Sequence, residues 1–130
     1  MATVETTVET TLGHDTVDAY IAAWNERDPE RRRAHVDRAW APQGSYVDPH
    51  RQAEGTEAIS AMIGEAQSHF PGHRITLLGT PEGHGDRLRF SWSLAPEGGA
   101  PFFYGTDFAF VGADGRFCDV TGFIDTAPAG

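Results

Sequence analysis

The chain contains no lysine, and all ten of its basic residues are arginine. Schiff-base chemistry through a lysine amine is therefore closed to it. Cysteine is nearly absent as well, and Cys118 alone can form neither an intramolecular disulfide nor a cysteine metal cluster. A reducing, cytoplasmic setting is the expectation that follows. Positive charge is scarce, ten basic against nineteen acidic residues with a formal net charge of −9. Phosphate backbones need clustered cations, so a nucleic-acid partner is not expected. No apolar run approaches the roughly 20 residues of a membrane-spanning helix, so no membrane partner is expected either. The segment from Met1 to Gly13 has neither a basic start nor an apolar centre and does not read as a signal peptide. It reads as a mobile tail, with an added edge strand as the alternative for so Thr- and Val-rich a stretch.

What is present suits one globular domain. At 130 residues, with 39% hydrophobic and 22% charged, the chain can bury a core and shape a pocket but has no length for a second unit. The expected division is a tail at 1–13, a single domain at 14–126 and a short tail at 127–130. Val17, Tyr20, Ile21 and Trp24 fall on one helical face, with Asp15 or Thr16 as N-cap and an end near Asn25 to Arg27. Asp28-Pro29 opens a second helix, a capping side chain followed by proline at the first turn. Val36, Ala39 and Trp40 form its apolar stripe, and Arg31, Arg32 and Arg33 read as a solvated face. Pro42 and Gly44 stop it. Ser45 to Pro49 then reads as a brief strand, and His50 to Glu54 as a polar connection. Gly55-Thr56 opens a third helix with Ile59, Met62, Ile63, Ala66 and Phe70 on one face, ended by Pro71-Gly72.

After Gly72 the period changes to two. Ile75 and Leu77, then Leu88, Phe90, Trp92 and Leu94, alternate with polar residues as half-buried strands do. Turn signals at residues 83–86, 96–101 and 112–115 divide the region into a four-stranded antiparallel meander. Three helices followed by a meander describe an α+β domain whose helices cover one face of a curved, mainly antiparallel sheet. A strongly bent sheet leaves an open cone, and pockets form in such mouths.

Asp48 is the residue most suited to chemistry. Pro49 pushes it into extended geometry at a strand end, so its carboxylate is held in one direction, either bonding the local turn or facing a ligand. The histidines His14, His35, His69, His73 and His84 lack zinc spacing, so no metal is expected. On the fifth apolar segment the two parities differ sharply. Phe102, Tyr104, Phe108 and Phe110 share one face, while Phe103, Gly105, Asp107, Ala109 and Val111 share the other. If the aromatic face is the core, Asp107 points to solvent; if not, Asp107 lies inside and the aromatics cover the outer face.

The element order from Asp15 to about Asp125 resembles the cone-shaped superfamily typified by nuclear transport factor 2. That superfamily includes ketosteroid isomerase, scytalone dehydratase, limonene epoxide hydrolase and the SnoaL-like polyketide cyclases. The resemblance rests on Tyr20-Ile21-Ala22-Ala23-Trp24-Asn25 with Asp28, on Tyr46-Val47-Asp48-Pro49, on Gly55-Thr56-Glu57-Ala58-Ile59, on Gly105-Thr106-Asp107-Phe108 and on Asp114-Gly115-Arg116. It implies Asp48 as general base, with Tyr20 and a protonated Asp107 as donors to an oxyanion. It also implies a pocket for a small apolar molecule, whose walls would be Trp24, Tyr46, Phe70 and Trp92 with His50 beside the base. No cofactor is implied, and the outer sheet face would form a homodimer. The epoxide hydrolase arrangement needs an arginine two residues before the strand aspartate, where this chain has Gly105, so that mechanism is disfavoured. The implied activity is proton transfer on an apolar carbonyl compound, as an isomerase or a cyclase. A non-catalytic binding or scaffold module of the same fold is the alternative, because fold alone does not fix function.

Overall fold

Helix α1, residues 15–25 of a computed structural model that describes residues 15–125, turns Val17, Tyr20 and Ala23 fully inward with Trp24 half-buried beside them. Residues 15 and 16 already lie within the helix, so the expected cap at Asp15 or Thr16 is not there. The expectations for the two tails and for His14 lie outside the described residues. At the other end, Asn25 pairs its side-chain amide with both backbone groups of Ile75, donating to the carbonyl at 2.9 Å and accepting the N–H at 2.7 Å. That pairing ties the helix to an edge strand whose outer backbone groups would otherwise be bare.

Helix α2, Pro29–Ala39, begins as expected: Asp28 accepts the N–H of Arg31 at 3.0 Å and proline occupies the first turn. Three expectations for this region are overturned. Trp40 is not on the helix stripe; its backbone is extended, and it opens strand β1, Trp40–Val47. Pro42 and Gly44 therefore stop no helix but lie in an irregular stretch of β1 between Trp40 and Ser45, where a residue without an N–H and one without a side chain are tolerated. Gly44 is required there, since a Cβ would come within 2.9 Å of the Trp40 ring. Arg32, in turn, is buried rather than solvated. Its Nη1 donates to the carbonyls of Glu26 and Arg27 and to Gln67 Oε1 at 3.0 Å, so it bridges α2 to the third helix through neutral acceptors.

The polar connection after Asp48 contains a further short strand, β2, Gln52–Glu54, antiparallel to β1. Helix α3, Thr56–Ser68, starts after Gly55, whose φ of +88° suits glycine, and buries Ile59, Ile63 and Ala66. Phe70 lies beyond its end. Strands β3 (His73–His84), β4 (Arg87–Pro96), β5 (Phe103–Val111) and β6 (Phe117–Asp125) form the expected meander. Among the described residues the sheet has six strands in the order β2-β1-β6-β5-β4-β3, with every pairing antiparallel except β1 with β6.

The parity of β5 is decided by burial. Gly105, Asp107 and Ala109 face the helices, while Phe108 and Phe110 stand exposed on the outer face, joined there by Phe123 of β6. Phe108 meets Phe123 edge to face, and the Arg87 guanidinium lies 4.7 Å from the Phe110 ring centre. Phe102 departs from the expected aromatic stripe: it precedes β5 and packs against Phe70 and His73.

Candidate active site

Three elements converge beneath the helices. Asp48 follows the last residue of β1, and its carboxylate receives three hydrogen bonds. Oδ1 accepts the backbone N–H groups of His50 at 2.7 Å and Arg51 at 2.8 Å, and Oδ2 accepts the Tyr46 hydroxyl at 2.6 Å. The two roles open to Asp48 are thus not exclusive, because the same side chain bonds its turn and lines a cavity. Asp107 sits deeper and is 1% exposed. The Tyr20 hydroxyl donates to its Oδ2, and the indole N–H of Trp92 donates to Oδ1 at 3.1 Å.

Burial pushes the Asp107 carboxyl up to about 6 from an ordinary 3.8. The Tyr20 and Trp92 hydrogen bonds oppose that shift, and the charges of Asp48 and Asp125 reinforce it. Burial likewise holds the Tyr20 phenol well above its ordinary value, and the Asp107 charge adds to it. Tyr46 is raised in the same way, by burial first and then by Asp107 and Asp48. Both phenols therefore remain proton donors through the neutral range. Near Tyr20, the Trp24 indole N–H favours the phenolate, yet it is buried without an acceptor in hydrogen-bonding geometry. An oxygen of a bound ligand would satisfy it.

Two glycines make room for this arrangement. A Cβ on Gly122 of β6 would lie 2.9 Å from Asp107 Oδ1, 3.3 Å from the Tyr46 hydroxyl and 3.4 Å from Asp48 Cβ. The point where the two acids and a phenol approach one another is thus kept free of side chains. A Cβ on Gly105 would lie 2.1 Å from the Trp92 ring, which rests over that glycine on its way to Asp107. The place an epoxide hydrolase gives to arginine is here filled by an indole.

The cavity beside these groups has a volume of about 440 Å³, within the range of small-molecule sites. Trp24, Phe70 and Trp92 contribute apolar wall, and Tyr46 joins them next to Asp48. His50 is exposed at the rim. All eight residues singled out from the sequence therefore border one space. Sequence reasoning missed the Trp92 bond to Asp107, although Trp92 lies directly across from Gly105 in the β4–β5 register. It also missed Arg27, Arg51, His69 and His73 on the rim. Among the described residues no group of three or more His, Cys, Asp or Glu side chains could hold a metal ion, and no helix is long and apolar enough to cross a membrane.

A model of the SnoaL-like domain matches residues 17–120. The chain belongs to the SnoaL-like family. Its fold is shared with a SnoaL-like family protein from Agrobacterium tumefaciens str. C58, provisionally called an isomerase. That protein is 46% identical over 89% of this chain and 99% of its own, with a TM-score of 0.84. A provisionally assigned SnoaL-like polyketide cyclase from Jannaschia sp. CCS1 is 16% identical, over 88% of this chain and 86% of its own, at a TM-score of 0.70. An NTF2-like protein from Exiguobacterium sp. 255-15 is 19% identical, over 86% and 99%, at 0.67. At those identities the last two speak for the fold alone. No curated protein matches this SnoaL-like chain.

Proposed function

We propose that this SnoaL-like chain catalyses proton transfer on an apolar carbonyl compound, with Asp48 as base and Tyr20 and Asp107 as donors to the oxygen. The observation that carries this reading is the meeting of two carboxyl groups and the Tyr46 phenol around Gly122, with the Tyr20 phenol bonded to Asp107, at the wall of an apolar cavity. Environments that push neighbouring carboxyl groups apart separate a base from an acid. The Asp48 carboxylate removes a proton from the carbon beside the carbonyl, and the electron pair moves to oxygen as an enolate. The Tyr20 hydroxyl turns its single proton from Asp107 to that oxygen. A developing negative charge favours the protonated form of Asp107, which then donates as well. Return of the proton to another carbon completes an isomerisation, whereas attack of the enolate carbon on a second carbonyl closes a ring and the proton then passes to the alkoxide so formed. Both outcomes draw base and donors from the chain itself and need no cofactor. The provisional isomerase description of the Agrobacterium protein agrees with the first.

The test is α-proton exchange of apolar cyclic ketones in heavy water, followed by NMR. General-base catalysis contributes about 10²- to 10⁴-fold, so Asp48→Asn is expected to lose at least about 100-fold while keeping its fold. A variant that exchanges as fast as the parent removes Asp48 as base. The second reading, binding without turnover, draws on the three local donors that already occupy Asp48. It requires that ketones bind and that the parent exchanges none of them.

The homodimer belongs to the same reading. Phe108, Phe110 and Phe123, 44%, 41% and 51% exposed, form an apolar stripe of the kind that marks an interaction face, and a second copy of this chain would cover it.

A further inference from the structure

The rim of the cavity differs in charge from the rest of the molecule. In a chain of net charge −9, the groups at the opening are Arg27, Arg51, His50, His69 and His73, and among the described residues the only acids on the lining are Asp48 and Asp107 within. Arg51, His69, His73 and Arg27 form a connected arc. Arg51 Nε bonds Glu65 at 3.2 Å, Glu65 bonds His69 Nε2 at 2.9 Å, and the rings of Phe70 and His73 lie 5.6 Å apart. Arg27 closes the arc by donating to the carbonyls of Gln67, Phe70 and His73. Glu65 is the one carboxylate joined to the arc, and it is shared between Arg51 and His69.

Arg27 is held in a different way from an ordinary surface arginine. All three of its acceptors are neutral carbonyls, and among the described residues it has no carboxylate within ion-pair distance. Three of its five N–H groups are used, so it is oriented at the cavity with its charge unneutralised and two donors left. Arg51 uses only Nε, which leaves both of its terminal nitrogens free. At the mouth of an apolar cavity the free terminal pair of Arg51 presents the planar fork that matches a carboxylate, and Arg27, whose Nη2 is fully used, adds its charge and the single N–H donors left on Nε and Nη1.

We propose that the substrate is an apolar carbonyl compound carrying a carboxylate, which Arg27 and Arg51 hold at the rim while the carbonyl lies inward against Tyr20 and Asp107. The inference rests on the proton-transfer reading for the ligand's orientation but adds the class of molecule and the residues that select it. A single negative charge fits better than a dianion, since Glu65 stands in the same arc. The acid end anchors the ligand outside the reacting region, so its binding energy fixes the carbonyl in place without touching the bond that breaks.

The probe pair is 3-benzoylpropanoate and its methyl ester, which share one skeleton and differ in charge. Binding to the full chain is measured by isothermal titration calorimetry at low and high salt. Because hydrogen bonds to charged groups are worth more than neutral ones, the acid is expected to bind about tenfold tighter than the ester at low salt. That preference should shrink with added salt. In Arg51→Gln and in Arg27→Gln it should fall to within about threefold, with ester affinity unchanged in Arg51→Gln. Arg51→Gln serves as the independent variant if loss of the Arg27 carbonyl contacts disturbs the fold. Equal affinity of acid and ester for the parent, a preference that survives both substitutions, or binding of neither probe overturns the proposal. Exchange of the ester's α-protons without any acid preference removes the rim's role and leaves proton transfer standing. Selective binding of the acid without exchange does the reverse.

Discussion

Replacing Asp107 by Asn should make the protein more stable at neutral pH and less so, relative to the parent, as pH falls. The carboxyl rises from 3.8 to about 6 on folding, chiefly because burial disfavours its charged form. A shift of about two units corresponds to roughly 3 kcal/mol. The folded state binds this proton more tightly than the unfolded chain does. The associated stability is therefore fully present below about pH 4 and is lost as pH rises to about 6. Above that, the ionised, buried Asp107 destabilises the fold by a constant amount. Asparagine is nearly isosteric and carries no charge; its oxygen can accept from Trp92 and its amide can donate to the Tyr20 oxygen, so the neighbours keep partners. Urea unfolding of parent and variant from pH 4 to 8 separates this effect from the carboxyl groups not coupled to Asp107, since those cancel in the difference, and leaves only its coupling to Asp48 and Asp125. The variant's advantage should grow by about 3 kcal/mol between pH 4 and 6 and then level off. A difference that stays flat across that interval would refute the assignment of a raised value to Asp107. Activity should move the other way, because Asn cannot supply the acidic proton that the enolate needs.

Other perturbations follow from the same contacts. Asp48→Asn removes a charge that raises Asp107, so besides abolishing exchange it should move the pH midpoint of the parent–Asp107→Asn stability difference downward, read by comparing Asp48→Asn alone with the Asp48→Asn, Asp107→Asn double variant. Gly105→Ala sets a methyl group 2.1 Å from the Trp92 ring; the ring must shift, giving a loss of about 1 to 3 kcal/mol in urea unfolding and a further rise of the Asp107 midpoint as its N–H bond breaks. Gln67→Leu strips Arg32 of an acceptor, leaves the carbonyl of Trp24 without the Gln67 donor and leaves that of Glu26 with Arg32 alone; a loss of about 2 to 3 kcal/mol is expected, with no change in the pH dependence attributed to Asp107. Phe110→Glu should shift the mass in light scattering from that of a pair to that of one chain, and a parent that is already monomeric would remove the proposed dimer.

What could be read from the sequence was what short-range pattern encodes. Tyr20 and Val17 share a helical face, Asp28 caps the helix it precedes, and the alternation in β4 and β5 offered only two faces for Asp107, of which the small neighbours Gly105 and Ala109 mark the inner one. What could not be read depends on partners far along the chain. Pro42 and Gly44 carry the local signature of a helix stop, yet the stretch is a strand because β6, more than seventy residues later, pairs with it. Arg32 looks solvated beside Arg31 and Arg33, and it turns inward to the amide of Gln67 on another helix and to the carbonyls of Glu26 and Arg27. The three residues of β2 are too few and too polar to show alternation, and they pair because the turn at Asp48 brings them back alongside β1. The rim arginines were invisible for the same reason: Arg27 is separated by about forty residues from the carbonyls that orient it.

The parallel pairing of Tyr46 with Val120 and of Val47 with Thr121 has a consequence for how the molecule comes into being. On a ribosome, Asp48 emerges early and Asp107 late, and Gly122, the residue between them, later still. A nascent or truncated chain that stops at the end of β5 would already hold every side chain assigned to the chemistry, and yet it would have no strand on which to bring the two acids together. Synthesis of β6 and assembly of the site are one event, so fragments that lack β6 are expected to be inert rather than partly active.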